Sequence, residues 1–159
     1  MFDTLLIDVS HSSDLETVTA EFMHLLQRVA EADPQQLPTA LFVTPEVLHD
    51  FDEYWNWVGI CDNLLYQLGY EGILQLATFH PLYLFEGEDE ADMSHFTNRA
   101  PYPTLHIIRE AEMEAVLASA TKPERIPERN RKHMRRLGRE GLLKAMPALA
   151  KSRVFDDQR

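Results

Sequence analysis

Apolar residues in this chain occur either in short continuous runs or at helical spacing. The run Leu5–Val9 is closed by polar residues and predicts a first strand. Ser13 and Glu16 then have the spacing of a capping box. Apolar residues over 15–29 recur at intervals of three and four, which predicts an amphipathic helix after that cap.

Predicted strands and helices continue to alternate through the next 80 residues. Ala40–Val43 reads as a fully buried strand, and Thr44 with the proline after it predicts the start of a long helix that ends near Leu68. Ile73–Phe79 and Leu105–Ile108 predict a third and a fourth strand, with a helix after the fourth. Between them, residues 81–103 show no period, which in a domain of this size is typical of a functional or disordered loop.

Strands that alternate with helices favour an α/β fold with a mainly parallel sheet. The fourth strand can run antiparallel after its long loop, so we expect a small mixed sheet of about four strands in a two-layer or three-layer sandwich. The predicted organisation is one α/β domain over residues 1–151, which includes the long loop 81–103 and a basic helical tail over 121–151. Residues 152–159 are predicted to fray.

Composition excludes several classes of protein. The chain has 159 residues, 45% of them hydrophobic, which is enough for one buried core. It contains no run of about 18 apolar residues and does not begin like a signal peptide, so we expect a cytoplasmic protein without a membrane span. The single cysteine, Cys61, excludes an internal disulfide and falls on a predicted buried helix face.

The charge is divided unevenly along the chain. The net charge is −11, but residues 1–120 hold 21 acidic and three basic residues, whereas residues 121–159 hold 12 basic and five acidic ones. The acidic total makes nucleic acid an unlikely partner. The basic tail either folds back on the acidic body or contacts an acidic protein partner or RNA, and a homo-oligomer also stays open.

Polar groups follow most of the predicted strands, where ligands collect in open α/β sheets. His80 precedes a proline, which favours an extended backbone and fixes the direction of the ring; it is either a general acid or base or a hydrogen-bonded structural group. Arg99 and Arg109 are two of only three basic residues before the tail, so each is either a structural counter-ion or a clamp for an anion. Pro127 opens a helix beside further arginines, which suits an anion seat.

Other kinds of site find little support. Five potential metal ligands lie within 31 residues, but no pair has a recognised spacing, so we assign no metal; the five are His80, Asp92, His95, His106 and Glu110. No nucleophile elbow or glycine-rich phosphate loop occurs, and we assign no cofactor.

Four blocks of sequence resemble the bacterial proteins catalogued as domain of unknown function 1415. They are Gln75–Pro81, Phe96–Pro103, Leu105–Glu110 and Ile126–Asn130, within a similarity over about 4–137. The resemblance implies a shared fold and one common site, and it implies no activity. Members of that family begin with an additional segment that contains a Cys-Pro-Phe motif, from which this sequence departs.

These observations together predict one site for an anionic small molecule that carries phosphate or carboxylate. We assign catalytic roles to His80, His106 and Glu110, and substrate binding to Asn98, Arg99, Arg109, Arg129 and Asn130. The leading hypothesis is a small enzyme that acts on such a metabolite or a protein that binds it. The alternatives are a non-catalytic binding or regulatory domain, in which the same residues form a structural network, and a metal-dependent hydrolase.

Overall fold

A computed structural model describes residues 5–156, in which four strands form one mixed sheet. The strands are β1 (Leu5–Val9), β2 (Thr39–Val43), β3 (Leu74–Phe79) and β4 (Thr104–Arg109), in the order β1-β2-β4-β3. β1 and β2 are parallel, whereas β4 lies between β2 and β3 and is antiparallel to both. The predicted α/β class and mixed sheet are confirmed.

Helices α1 (Leu15–Glu31) and α2 (Phe51–Gln67) follow β1 and β2. The predicted helix starts are wrong at both. The α1 cap is Asp14, which accepts the amide of Thr17, and the α2 cap is Asp50, which accepts the amide of Glu53. The expected cap Thr44 instead donates its amide to the Pro103 carbonyl, which ties the end of β2 to the chain that enters β4.

One face of the sheet carries the core. Alternate residues of β2 and β4 are almost completely buried against α1 and α2, with Phe22 and Trp57 packed edge to face; these strand residues are Ala40, Phe42, Leu105 and Ile107. The opposite face is open along β1, where Leu5, Ile7 and Val9 are 40%, 57% and 38% exposed. The sandwich therefore has two layers.

The chain after β4 forms helix α3 (Glu110–Ser119) and helix α4 (Ile126–Ala145). α3 buries none of its side chains. α4 is kinked at Gly138, whose φ of +65° suits glycine, and it packs on the short 3-10 helix Met93–Thr97 of the long loop.

Two further 3-10 turns, Pro147–Lys151 and Arg153–Phe155, continue the tail. Val154 is buried, and the Phe155 ring contacts Phe96 at 5.0 Å between centroids. Fraying was predicted from residue 152 onward. The packed turn lies inside that segment, and residues 157–159 fall outside the described part of the chain. No helix within residues 5–156 has the length and apolarity needed to cross a bilayer.

Candidate functional site

His80 lies at the carboxyl end of β3 and has no exposed surface. Its Nε2 donates to the Leu48 carbonyl at 2.9 Å, and its Nδ1 accepts the Leu82 amide at 3.0 Å. The ring also packs on Tyr54, with 4.9 Å between centroids. Burial lowers the pKa of His80 to about 4. At neutral pH the ring is therefore uncharged, with both nitrogens engaged by the main chain.

The His80 ring holds an unusual turn in place. Leu48 has a φ of +61°, in the left-handed region that a branched side chain rarely adopts. Its carbonyl accepts the His80 Nε2 proton, so the turn that precedes α2 is fixed to the end of β3. This contact positions the neighbouring His49, which is exposed.

Asn98 and Arg99 also form hydrogen bonds near the carboxyl end of β3. The side-chain amide of Asn98 donates to the Thr78 carbonyl at 3.0 Å, and the main-chain carbonyl of Asn98 accepts the His80 amide. Arg99 donates from Nε to Tyr83 and from a terminal nitrogen to Val154, both main-chain carbonyls. These side chains join the long loop to β3 and to the tail.

Arg109 lies at the other end of β4 and is 6% exposed. Its guanidinium donates to the carbonyls of Val29, Ala32 and Leu37, at and just beyond the end of α1. Carbonyls at a helix end lack partners within the helix, and the helix dipole favours a cation there. Arg109 therefore caps α1 from outside.

His106 and Glu110 do not lie beside His80, Asn98 and Arg99. His106 faces the open side of the sheet, where one ring nitrogen is 2.6 Å from the Thr39 hydroxyl. Burial lowers the pKa of His106. Glu110 begins α3, and its amide donates to the Ile73 carbonyl at the start of β3.

The direction of β4 separates the predicted site residues. Its register pairs Thr104 with Phe79 and Arg109 with Leu74, so Arg109 lies at the amino end of β3. Five residue steps of about 3.3 Å place Arg109 roughly 17 Å along the strand from the position next to His80. The structure brings His80, Asn98 and Arg99 together and leaves His106, Arg109 and Glu110 elsewhere. The roles assigned to them stay predictions.

Arg129 and Asn130 line an open cleft of about 810 Å³ on α4, here called the α4 cleft. Four of its basic residues recur at intervals of four, three and four, which places them on one side of the helix. We call them the outer stripe: Arg125, Arg129, Lys132 and Arg136. His133 also lines the cleft, as does Glu128, which pairs with Lys132 at 3.5 Å. Within residues 5–156, neither Arg125 nor Arg129 has an ion pair.

A second row of α4, which we call the inner stripe, consists of Arg131 and Arg135 and faces the acidic loop. Arg135 donates to both carboxylate oxygens of Asp92, at 2.9 and 3.1 Å, and to Glu88 at 3.0 Å. Arg131 lies 3.3 Å from Glu128 and 4.0 Å from Glu88. The positive charge of this row is neutralised within the protein.

A second cavity, of about 360 Å³, opens at the carboxyl end of the parallel strands and is here called the carboxyl-edge cleft. Much of its wall is apolar and comes from Pro45, Pro81, Pro101, Tyr102, Pro103 and Met146. Its polar residues are His49, Lys151, Ser152 and Arg153, and none of the described residues that line it is acidic.

Sequence reasoning missed His49, Lys151 and Arg153. Each is a single basic residue without a motif, and only the folded chain brings them together. It also did not assign His95, which is buried and accepts the Phe85 amide while its other nitrogen donates to the Asp89 carbonyl. In the described part of the chain no three histidine, cysteine or carboxylate side chains converge to hold a metal ion.

Comparison with known proteins gives one family. The family described as "Protein of unknown function (DUF1415)" matches residues 3–144, most of the chain, including every residue of the predicted site. No curated protein and no solved structure matches.

Proposed function

The chain belongs to the family described as Protein of unknown function (DUF1415), and from that premise we propose that it is a non-catalytic binding domain for an anionic metabolite. The ligand is held in the α4 cleft through phosphate or carboxylate groups. The observation that carries this proposal is the outer stripe, where Arg125 and Arg129 have no carboxylate partner among the described residues of a chain with a net charge of −11.

The outer stripe is unfavourable for an isolated protein. Like charges at helical spacings of three and four destabilise a helix by a few tenths of a kcal/mol per pair. The inner stripe avoids this effect because Asp92 and Glu88 face it. A bound anion would do the same for the outer stripe.

The chemistry of the cleft favours a ligand with more than one anionic group. Arginine donates paired hydrogen bonds to phosphate or carboxylate, and Asn130 adds a neutral amide. Arg125 precedes the first turn of α4, where the helix dipole also favours negative charge. From Arg125 to Arg136 the stripe spans 11 residue steps, or roughly 16 Å at 1.5 Å per step, which is longer than one phosphate group.

A binding role without catalysis fits the surroundings of His80. A general acid or base has to reach its substrate with a ring nitrogen, and both nitrogens of His80 are bonded to the main chain in the interior. Arg99 and Arg109 likewise donate to carbonyls. Of the three arginines expected to hold the ligand, Arg129 is the one that lines the α4 cleft.

Calorimetric titration at low ionic strength tests the proposal, with pyrophosphate and citrate as probes. We expect the double variant R125A/R129A to bind the preferred probe about tenfold more weakly than the wild type, because two charge-assisted contacts are lost. Added salt should weaken binding by the wild type.

The matched control is R28A/K144A, which also removes two positive charges, but from exposed positions outside the cleft. It should bind as the wild type does. Equal weakening in both double variants would mean that only the net charge matters, and absence of binding to both probes would refute the proposal.

A further inference from the structure

We propose that the carboxyl-edge cleft is a second binding site, specific for a small carboxylate that carries a flat apolar group such as an aromatic ring. This inference is independent of the α4 cleft, since the residues that line the two cavities are different.

The side of the carboxyl-edge cleft that the strand ends form is fixed before any ligand arrives. The Pro103 carbonyl accepts both the amide and the hydroxyl of Thr44, at 3.0 and 3.3 Å. Pro81 directly follows His80, whose ring fastens the Leu48 turn that carries His49. A preformed cavity loses little conformational entropy when a ligand binds, which favours affinity for a small molecule.

Exposed apolar surface on the rim of the cleft indicates that part of the ligand is apolar and flat. Tyr102 and Met146 are 53% and 55% exposed, and proline rings extend the same wall. Their burial under a flat ring would remove apolar area from water. The volume of about 360 Å³ is near the lower end of the range for small-molecule sites.

Positive charge indicates the other half. Lys151 and Arg153 supply this charge from the tail side of the cleft. Arg153 already holds one carboxylate, since its Nε donates to Asp156 at 3.1 Å. A carboxylate on the ligand suits the same guanidinium, and Asp156 is its competitor within the protein.

The arrangement also explains the role of three residues that do not reach a ligand themselves. His80, Asn98 and Thr44 act as positioning residues, which hold Pro81, Pro103 and the Leu48 turn at the rim.

A titration of the folded full chain with 2-naphthoate, monitored by nuclear magnetic resonance, tests the inference. The uncharged 2-naphthamide tests the aromatic half of the ligand alone, and acetate tests the carboxylate half alone. We expect naphthoate to bind and each half to bind about tenfold more weakly or not at all. No binding of naphthoate at millimolar concentration would overturn the proposal.

Variants assign the binding to this cleft. K151A/R153A should weaken naphthoate binding about tenfold, and Y102A should weaken it severalfold. D156N should strengthen binding, because it removes the competing carboxylate from Arg153. R125A/R129A should leave naphthoate binding unchanged, so that failure here and failure at the α4 cleft are distinguishable. Binding that is insensitive to K151A/R153A and to Y102A would refute the site.

Discussion

Arg109 and Arg129 present the same guanidinium group in opposite surroundings. Arg109 is buried at the end of α1 and donates to three main-chain carbonyls, whereas Arg129 is exposed on α4 with no ion pair in the described chain. Positive charge is scarce before residue 121, which suggested a ligand-binding role for Arg109, yet in the fold its guanidinium donates to main-chain carbonyls. An uncommon charged residue is therefore informative about ligands only after its main-chain contacts are known.

The largest expected effect follows from removal of the buried guanidinium. R109A should lower the free energy of unfolding by about 3 kcal/mol, because it leaves carbonyls at the end of α1 without donors and opens a cavity. R109K should recover only part of this loss, since an ammonium group lacks the planar fork that reaches several carbonyls.

Urea denaturation measures both variants against R129A, which should stay within about 0.5 kcal/mol of the wild type. Equal destabilisation by R109A and R129A would contradict the contrast between the two arginines.

A smaller effect is expected from acidification, and it tests the interior network around His80. The pKa of His80 is lowered to about 4 in the folded protein, below the value near 6.5 of an unfolded histidine. The unfolded chain therefore binds more protons between these values, and stability falls as the pH decreases from about 6.5 to 4. His106 contributes in the same direction, because burial also lowers its pKa.

The variant H80Q cannot titrate in this range and tests the assignment. It should be less stable than the wild type at pH 7 by about 2 kcal/mol, because the bonds to Leu48 and Leu82 are weakened or lost. It should also lose less stability on acidification, so that the two curves converge. The control H24Q, at an exposed position on α1, should follow the wild-type curve. Parallel curves for H80Q and the wild type would exclude His80 as the source.

The smallest effect is expected on the inner stripe. Burial raises the pKa of Asp92, but hydrogen bonds from Ser94 and from Arg135 outweigh burial and lower it to about 2. The stability from this carboxylate is present above about pH 4 and is lost as the pH falls toward 2. R135A should lower the thermal midpoint slightly at low salt and not at about 1 M salt, since both partners are partly exposed. An equal loss at both salt concentrations would mean that Arg135 acts by packing.

Periodicity predicted the four strands and the two long core helices, and the long loop before the fourth strand predicted the mixed sheet. The start of α2 escaped prediction because Thr44 and Pro45 have the local chemistry of a helix start, whereas the hydrogen bond from Thr44 to Pro103 is a contact over 59 residues. Local sequence does not report such a contact. The left-handed backbone of Leu48 could not be predicted from local sequence either, since its carbonyl accepts a hydrogen bond from the distant His80 ring.

Prediction of the candidate site depended on strand direction. A common pocket for His80 and Arg109 requires both at one end of the sheet, and an antiparallel β4 places them at opposite ends. The Arg129 region was identified because proline and arginine at a helix start are local features. The carboxyl-edge cleft was not, because its basic residues come from the turn before α2 and from the tail, about 100 residues apart.

The position of β4 also has a consequence for synthesis on the ribosome. β3 has β4 as its only partner among the strands of residues 5–156, and β4 is made 25 residues later. Until Arg109 has emerged, a nascent chain exposes unpaired edges on both β2 and β3, which invite association with other chains. Early termination between residues 80 and 104 should therefore yield fragments that aggregate or are degraded, whereas a chain that ends after β4 contains every strand.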